Sequence, residues 1–235
     1  MSAVAVIPAR GGSKRIPRKN IRDFLGKPIL AYSIAAARDC GLFQKVLVST
    51  DDEEIAAVAR QWGAETPFVR PPELADDHTG TNAVVAHALR WLKEHRQPAE
   101  LACCIYATAP LVQPAALIEG HRLLSEQGKS FAFSVTQFEF PIQRALRMHA
   151  DGSVEAIQPQ FAATRSQDLE HAWHDAGQFY WGRAEAFLSG APVYAKTSVG
   201  VPIPRYRVQD IDTFDDWQRA ELMYRALHDK SAGAA

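Results

Sequence analysis

Cysteine is scarce in this chain: three residues among 235, at Cys40, Cys103 and Cys104. None falls in a CxxC pair or at a Cys/His spacing that would hold a metal, and two are neighbours in the apolar run LACCIYA. That speaks against a disulfide scaffold or a zinc module and for buried thiols in a reducing compartment. Long hydrophobic runs are missing as well. No apolar stretch approaches the ~18 residues of a membrane span. The opening MSAVAVIPARGG has no basic segment leading into an apolar core, as a secretory signal would. A cytoplasmic protein with no membrane partner is expected. Nor is there an excess of one charge: 26 Lys and Arg face 27 Asp and Glu, for a formal net charge of -1. A general nucleic-acid binder carries a broader basic surplus, with a second basic face or interleaved aromatics, so no nucleic-acid partner is expected. The two familiar phosphate loops, GxxxxGK[ST] and GxGxxG, are also absent.

What is present is an ordinary globular composition, 47% hydrophobic and 23% charged, in a chain long enough to bury a substantial core. Residues 1–230 are expected to form a single domain without internal repeats, and SAGAA at 231–235 a disordered tail. Apolar runs and amphipathic segments alternate at short spacing. Strands are predicted at Val4–Ile7, Val46–Thr50, Leu101–Tyr106 and Phe131–Val135, with a short one in TPFVRPPEL. Helices are predicted after Pro28 as far as Gly41, over DDEEIAAVARQWG, over Ala83–His95 and over Pro114–Gln127. This rhythm implies an α/β fold, mainly a parallel sheet with helices on both faces. From about Thr136 it breaks. ALRMHADGSVEAI reads as a hairpin turning at Asp151-Gly152, within an excursion over about 139–175. Val199–Ile203 returns to the sheet, and Thr213–Leu227 closes the chain as a helix.

Directly after the first strand stands IPARGGSKRIPRKN, with Arg10, Lys14, Arg15, Arg18 and Lys19 around Gly11 and Gly12. In a parallel α/β sheet this is the functional edge, because ligands bind beyond the carboxyl ends of the strands. Paired glycines let a backbone turn tightly and offer N–H groups to an anion. Arg10, Lys14 and Lys19 would neutralise several phosphate oxygens, as many as a triphosphate carries, and Asn20 would hydrogen-bond a base or sugar. Further on, Gln209-Asp210-Ile211-Asp212-Thr213 alternates two carboxylates. In an extended segment they point the same way, and hard oxygens suit Mg²⁺ bridged to phosphates. On spacing alone, Asp212 is equally suited to cap the helix that starts near Thr213.

These segments, taken in order, resemble the CMP-sugar synthetases, the cytidylyltransferases that activate nine-carbon sialic-type acids. IPARGGSKRIPRKN resembles their signature loop. FLGKPILAYSI, STDD at Ser49–Asp52, RPPELADD at Arg70–Asp77, YATAPL at Tyr106–Leu111 and QDIDT at Gln209–Thr213 follow in family order, so the resemblance spans nearly the whole chain. It implies a Rossmann-like nucleotide-diphospho-sugar transferase fold with a small dimerisation insertion at 139–175, and hence a homodimer. It implies CTP as substrate, its phosphates held by Arg10, Gly12, Ser13, Lys14 and Lys19, and its nucleoside near Asn20, Asp77, Thr79 and Thr81. Asp210 and Asp212 become Mg²⁺ ligands. The chemistry is nucleotidyl transfer: a sugar hydroxyl attacks the α-phosphorus and pyrophosphate leaves, with Lys14, Lys19 and Asp212 as the catalytic set.

Tyr106 stands where the sialic-acid enzymes have glutamine. Thr164–Gly182 carries DAGQFYW, which resembles the pattern of pseudaminic acid cytidylyltransferases rather than the Asn-Gly-Ala run of the sialic-acid enzymes. Pseudaminic acid is therefore the expected sugar, with legionaminic and N-acetylneuraminic acids as alternatives. A regulator that binds nucleotide without catalysis is the alternative of another class, although its expected loss of loop cations or carboxylates is not seen. Arg165 is the expected partner of the sugar carboxylate, since guanidinium binds one bidentately. Gln167, His174, Asp175 and Gln178 are candidates for hydroxyl and amide contacts, while Phe179, Tyr180 and Trp181 read as strand core.

Overall fold

The computed structural model describes residues 1–77 and 79–228; the expected tail at 231–235 lies outside the described residues. In chain order the elements are β1 (Ala3–Pro8), β2 (Asp23–Phe24), β3 (Lys27–Pro28), α1 (Ile29–Asp39), β4 (Lys45–Ser49), α2 (Glu53–Gln61), α3 (Thr81–Glu94), β5 (Leu101–Ile105), α4 (Pro114–Glu126) and β6 (Phe131–Gln137). They continue with β7 (Leu146–Met148), β8 (Val154–Ala156), β9 (Trp173–Arg183), α5 (Ala184–Leu188), β10 (Ser198–Pro202) and α6 (Phe214–His228). Among the described residues no helix is long and apolar enough to cross a membrane.

The central sheet has the order β10-β6-β9-β5-β1-β4. Its pairings are parallel except those of β9, which runs antiparallel to both β5 and β6. β1 explains why the fold has layers on both sides. Every residue of AVAVI is buried, and alternate side chains serve opposite faces. Ala3, Ala5 and Ile7 pack with Leu30 and Ile34 of α1, Ile55 of α2 and Leu117 and Leu124 of α4. Val4 and Val6 pack with Val85, Leu89 and Leu92 of α3 and Phe187 of α5. The chain leaves β1 for β4 on one side, then returns to β5 on the other, so the order reverses at β1. Loops after β1 and β5 diverge at such a switch point and leave a crevice beyond the strand ends.

A third cluster joins distant segments beside that crevice. Ile16 of the basic loop, Phe24, Ile29, Ile211 and Trp217 of α6 are all buried together. Phe24 meets Trp217 edge to face at 5.5 Å between centroids. Burying Ile16 and Ile211 in one cluster brings the basic loop against the 209–213 segment.

Some details depart from the sequence reading. TPFVRPPEL forms no strand; an isolated parallel bridge joins Leu47 to Glu65, the residue just before it. Pro71 and Pro72 lead into a 3₁₀ turn at Pro72–Leu74, and a proline has no N–H for a ladder. The helix expected from Ala83 begins at Thr81. The expected hairpin is present as β7 and β8, with Gly152 at φ 84. Much of the apolar surface between β6 and β9 is exposed: Phe140, Leu146, Met148, Val154 and Ile157.

Gly182 fixes the closeness of β9 to its cover. A Cβ there would lie 2.6 Å from ring atoms of both Phe131 and Phe187, two buried aromatics with no room to yield. Gly182→Ala is expected to cost about 1–3 kcal/mol of stability, read as a lowered midpoint in urea unfolding. An unchanged midpoint would contradict this packing.

Candidate active site

The basic loop is held by three carboxylate stations. The first lies at the carboxyl end of β4. Gly11 N–H donates to Asp51 Oδ1 at 2.9 Å, and a Cβ on Gly11 would come within 2.8 Å of Asp52 Oδ2. Gly11 is thus needed for close approach, while Gly12 faces open space. Neither glycine adopts the left-handed region, which falls to Arg18 at φ 57. Arg18 grips Asp52 with both terminal nitrogens, at 2.5 and 3.0 Å, and also pairs with Glu54. Asp52 caps α2 as well, accepting from the Ile55 N–H at 3.1 Å. Arg18's hydrogen bond, with help from the helix N–H groups, holds the Asp52 carboxyl below its ordinary pKa. Arg18 is therefore committed to the fold.

The second station is Asp77, across the crevice. Lys14 Nζ lies 2.5 Å from one of its oxygens and Arg10 2.8 Å from the other. Arg10 also donates to the Asp76 carbonyl. Lys14 is 79% exposed, so this pairing is screened by water and open to exchange. The hydrogen bond from Lys14, then its charge, lowers the Asp77 pKa.

The third station is Asp212. Arg15 reaches its Oδ1 at 2.7 Å and Lys19 at 3.6 Å, while Lys19 donates to the Ile211 carbonyl at 2.7 Å. Burial lowers the Lys19 pKa against the pull of Asp212 and Asp210. Ile211 is buried, and its two neighbours lie close enough for the Asp212 charge to act on Asp210. Desolvation of its carboxyl, then the Asp212 charge, raises the Asp210 pKa. Asp210 and Asp212 do not themselves line the cleft, but two carboxylates under mutual repulsion beside its Arg15 and Lys19 fit a divalent ion. Among the described residues no group of three or more His, Cys, Asp or Glu side chains is placed to hold a metal, so an ion here would take its remaining oxygens from a ligand. Capping falls to other residues. Thr213 Oγ1 accepts from the Asp216 N–H at 3.2 Å, and Asp216 Oδ2 accepts from the Thr213 N–H at 2.8 Å. That reciprocal pair is a capping box, and it leaves the Asp212 side chain out of the cap.

Between the stations lies a cleft of ≈ 570 Å³, lined by Arg10, Ser13, Lys14, Lys19 and Asn20 on one wall and by Asp77, Thr79 and Thr81 on the other. Tyr106, Ala107 and Thr108, at the carboxyl end of β5, line it too. Asn20 is buried and donates to the Arg10 carbonyl at 2.9 Å, which fixes the curl of the loop. Arg70 was not singled out from sequence. It is 3% exposed, lines the cleft and donates to Ser49 Oγ at 3.1 Å; burial pushes its pKa down to about 10. Arg15 also lines the cleft, and its place in the basic run was the available signal.

Of the candidate sugar residues, Tyr106 alone lines this cleft. Arg165 pairs with Asp168 at 2.8 Å on the excursion. Gln167 lines a second cavity of ≈ 310 Å³, with Phe138, Phe140, His171 and Arg205. The His174 ring rests on Phe138, 4.7 Å between centroids. Gln178 is buried, its amide donating to the Arg207 carbonyl at 2.5 Å and its own carbonyl accepting from the Tyr106 N–H. Asp175 accepts from Tyr180 and Tyr194. Within one copy of the chain the candidate sugar residues fall into two groups. Arg165, Gln167 and His174 sit on the excursion side, while Asp175 and Gln178 are bonded behind Tyr106.

A family model described as Cytidylyltransferase matches residues 4–223. The chain is 43% identical to the pseudaminic acid cytidylyltransferase of Campylobacter jejuni, over 98% of this chain and 100% of that one. It is 28% identical to the CMP-N,N'-diacetyllegionaminic acid synthase of Legionella pneumophila, over 95% of this chain and 96% of that one. Among solved structures, CMP:2-keto-3-deoxy-manno-octonic acid synthetase complexed with CTP is similar in fold. The TM-score is 0.70 at 16% identity, covering 97% of this chain and 100% of that one.

The capping assignment has a stability signature. Asp216→Ala is expected to cost about 1 kcal/mol and Asp212→Ala less, in parallel urea titrations; the reverse ranking would make Asp212 the cap. The Asp52 carboxyl, depressed when folded, contributes stability that is complete above its unfolded pKa of about 4 and fades as pH falls through the lower folded value. Asp52→Asn is expected to flatten the acid limb of the stability curve below about pH 4. An unchanged acid limb would contradict the Arg18 clamp.

Proposed function

The chain belongs to the cytidylyltransferase family, and we propose that it couples CTP to pseudaminic acid, giving CMP-pseudaminic acid and pyrophosphate. The observation that carries this is the pair Arg10 and Lys14 resting on Asp77 at an open cleft. Two cations share one exposed carboxylate there, a partner that a triphosphate can replace. Arg10, Gly12, Ser13, Lys14 and Lys19 take the phosphates. Asn20, Asp77, Thr79 and Thr81 take the nucleoside, and Tyr106 stands on the sugar side.

The sugar's anomeric oxygen forms a new bond to the α-phosphorus as the bridge to the β-phosphorus breaks, and the hydroxyl proton goes to solvent. Such a transfer depends on alignment and on charge placed in advance. Lys14 and Lys19 supply that charge along the triphosphate. Asp210 and Asp212 would hold Mg²⁺, which neutralises phosphate oxygens when bound. Arg15 and Lys19, which share Asp212 here, stand where they can turn to the phosphates.

The sugar assignment rests on DAGQFYW and on the likeness to the Campylobacter enzyme across the whole of its length. A homodimer belongs to the same reading. Phe140, Leu146, Met148, Val154 and Ile157 are exposed on the excursion at 139–175, an apolar surface suited to a second copy. Pairing of that kind would give Arg165 and Gln167, which do not reach their own cleft, a partner's site to serve. Work in the cytoplasm, where CTP is made, fits the reading as well.

Pyrophosphate release with CTP and Mg²⁺ should be seen with pseudaminic acid and should be weak with legionaminic and N-acetylneuraminic acids. Release with another of the three instead would keep the reaction and overturn the sugar. Silence with all would favour a nucleotide-binding regulator. In the same assay Asp212→Ala should lower kcat by about a hundredfold or more, and full activity at saturating Mg²⁺ would remove Asp212 from the metal site.

A further inference from the structure

β9 meets β6 with a break in register: Phe133 faces Tyr180, but Val135 faces Asp175. Five steps along β9 thus span two along β6, and Gly177 sits inside the bulge at φ 61. In a regular strand, residues five apart point to opposite faces. The bulge removes that separation, so the Tyr180 hydroxyl donates to Asp175 Oδ2. The same oxygen accepts from the Tyr194 hydroxyl at 2.7 Å, and Oδ1 accepts from the Gly177 N–H at 2.8 Å. Ser134, wholly buried, holds the bulge by accepting from the N–H groups of Gln178 and Phe179, each at 3.2 Å. Both oxygens of Asp175 are engaged within the protein.

A phenol has one proton. That of Tyr180 goes to the carboxylate, because a charge-assisted bond is the stronger choice, and the Tyr180 oxygen is left able only to accept. Tyr106 Oη lies 3.3 Å from it, a long and weak bond. To make that bond Tyr106 must donate. A further hydrogen-bonding neighbour is the Thr81 hydroxyl. The remaining lone pair of Tyr106 is then left for the cleft that the residue lines.

We infer that Asp175 is a positioning residue which, through Tyr180, turns Tyr106 into a hydrogen-bond acceptor facing the cleft, so that the site reads an N–H or O–H of the acidic sugar. This rests on the proposed nine-carbon substrate and says how DAGQFYW acts on it from behind rather than by contact. Asp175→Asn reverses the relay. The carboxamide donates to Tyr180, Tyr180 donates to Tyr106, and Tyr106 then presents a donor.

A double-mutant cycle on the full-length enzyme tests this. Asp175→Asn, Tyr180→Phe and Tyr106→Phe should each raise the KM for the sugar about tenfold, the worth of one neutral hydrogen bond, and leave the KM for CTP unchanged. Asp175→Asn combined with Tyr106→Phe should be no worse than Tyr106→Phe alone. Multiplied penalties, a shift in the KM for CTP, or a silent Tyr106→Phe would each overturn the relay. A substrate-free readout stands beside the cycle. In protein labelled with ¹³C at tyrosine Cζ, the hydroxyl proton of buried Tyr180 should exchange with water more slowly than that of exposed Tyr206, and should speed up in Asp175→Ala. Exchange as fast as that of Tyr206 in the unmutated protein would overturn the inference. If no nine-carbon acid is turned over, the proposed function falls, and the exchange measurement still decides the relay.

Discussion

Five cations within ten residues repel one another, and this chain keeps them in one loop by setting carboxylates around them. Asp52 and Glu54 take Arg18, Asp77 takes Arg10 and Lys14, and Asp212 takes Arg15 and Lys19. The rest of the architecture serves to bring those acids to one place. Asp52 arrives at the carboxyl end of β4, next to β1, because the strands pair in parallel. Asp212 arrives because Ile211 is buried with Ile16 of the loop itself. Asp77 arrives on the segment that crosses the cleft before α3.

The three stations differ in permanence, and the difference carries the function. Arg18 is bound by two short contacts to an acid that also caps a helix. Breaking it would loosen both loop and helix, so it anchors. Arg10 and Lys14 share one exposed carboxylate, an arrangement worth little in water and readily exchanged for phosphate. Lys19 is the most shielded of the loop's ion-paired cations, 20% exposed at its side chain, and its charge is poorly solvated without an anion. A loop with one fixed end and exchangeable charges beyond it suits an enzyme that must both hold a triphosphate and release pyrophosphate.

Much of this was legible in the sequence, for identifiable reasons. β1, β4 and β5 are short apolar runs that bury both faces, and such runs announce themselves. Asp210 and Asp212 were legible as a pair because an apolar residue stands between them. The paired glycines marked the loop correctly but for a different reason: Gly11 makes room for Asp52, and the left-handed turn is made by Arg18. The Thr213-x-x-Asp216 cap is also written in the sequence, where spacing alone left Asp212 suited to capping and to a metal alike. The sugar side was less legible. Alternation along β9 separates Asp175 from Tyr180, and only the bulge at Gly177 joins them. Tyr194 reaches Asp175 from a different segment, with no local signal. Arg165 and Gln167 lie on the excursion, whose exposed apolar side chains call for a second chain that one sequence does not display.

The central claim is that the basic loop holds a triphosphate by trading its carboxylate partners for phosphate oxygens. Calorimetric titration of CTP and of CMP into the enzyme, and into Lys14→Ala, at two salt concentrations tests it most directly. CTP should bind at least about tenfold more tightly than CMP, and that gap should narrow in Lys14→Ala and with added salt. Equal affinities for CTP and CMP, or a gap untouched by the substitution, would contradict the account.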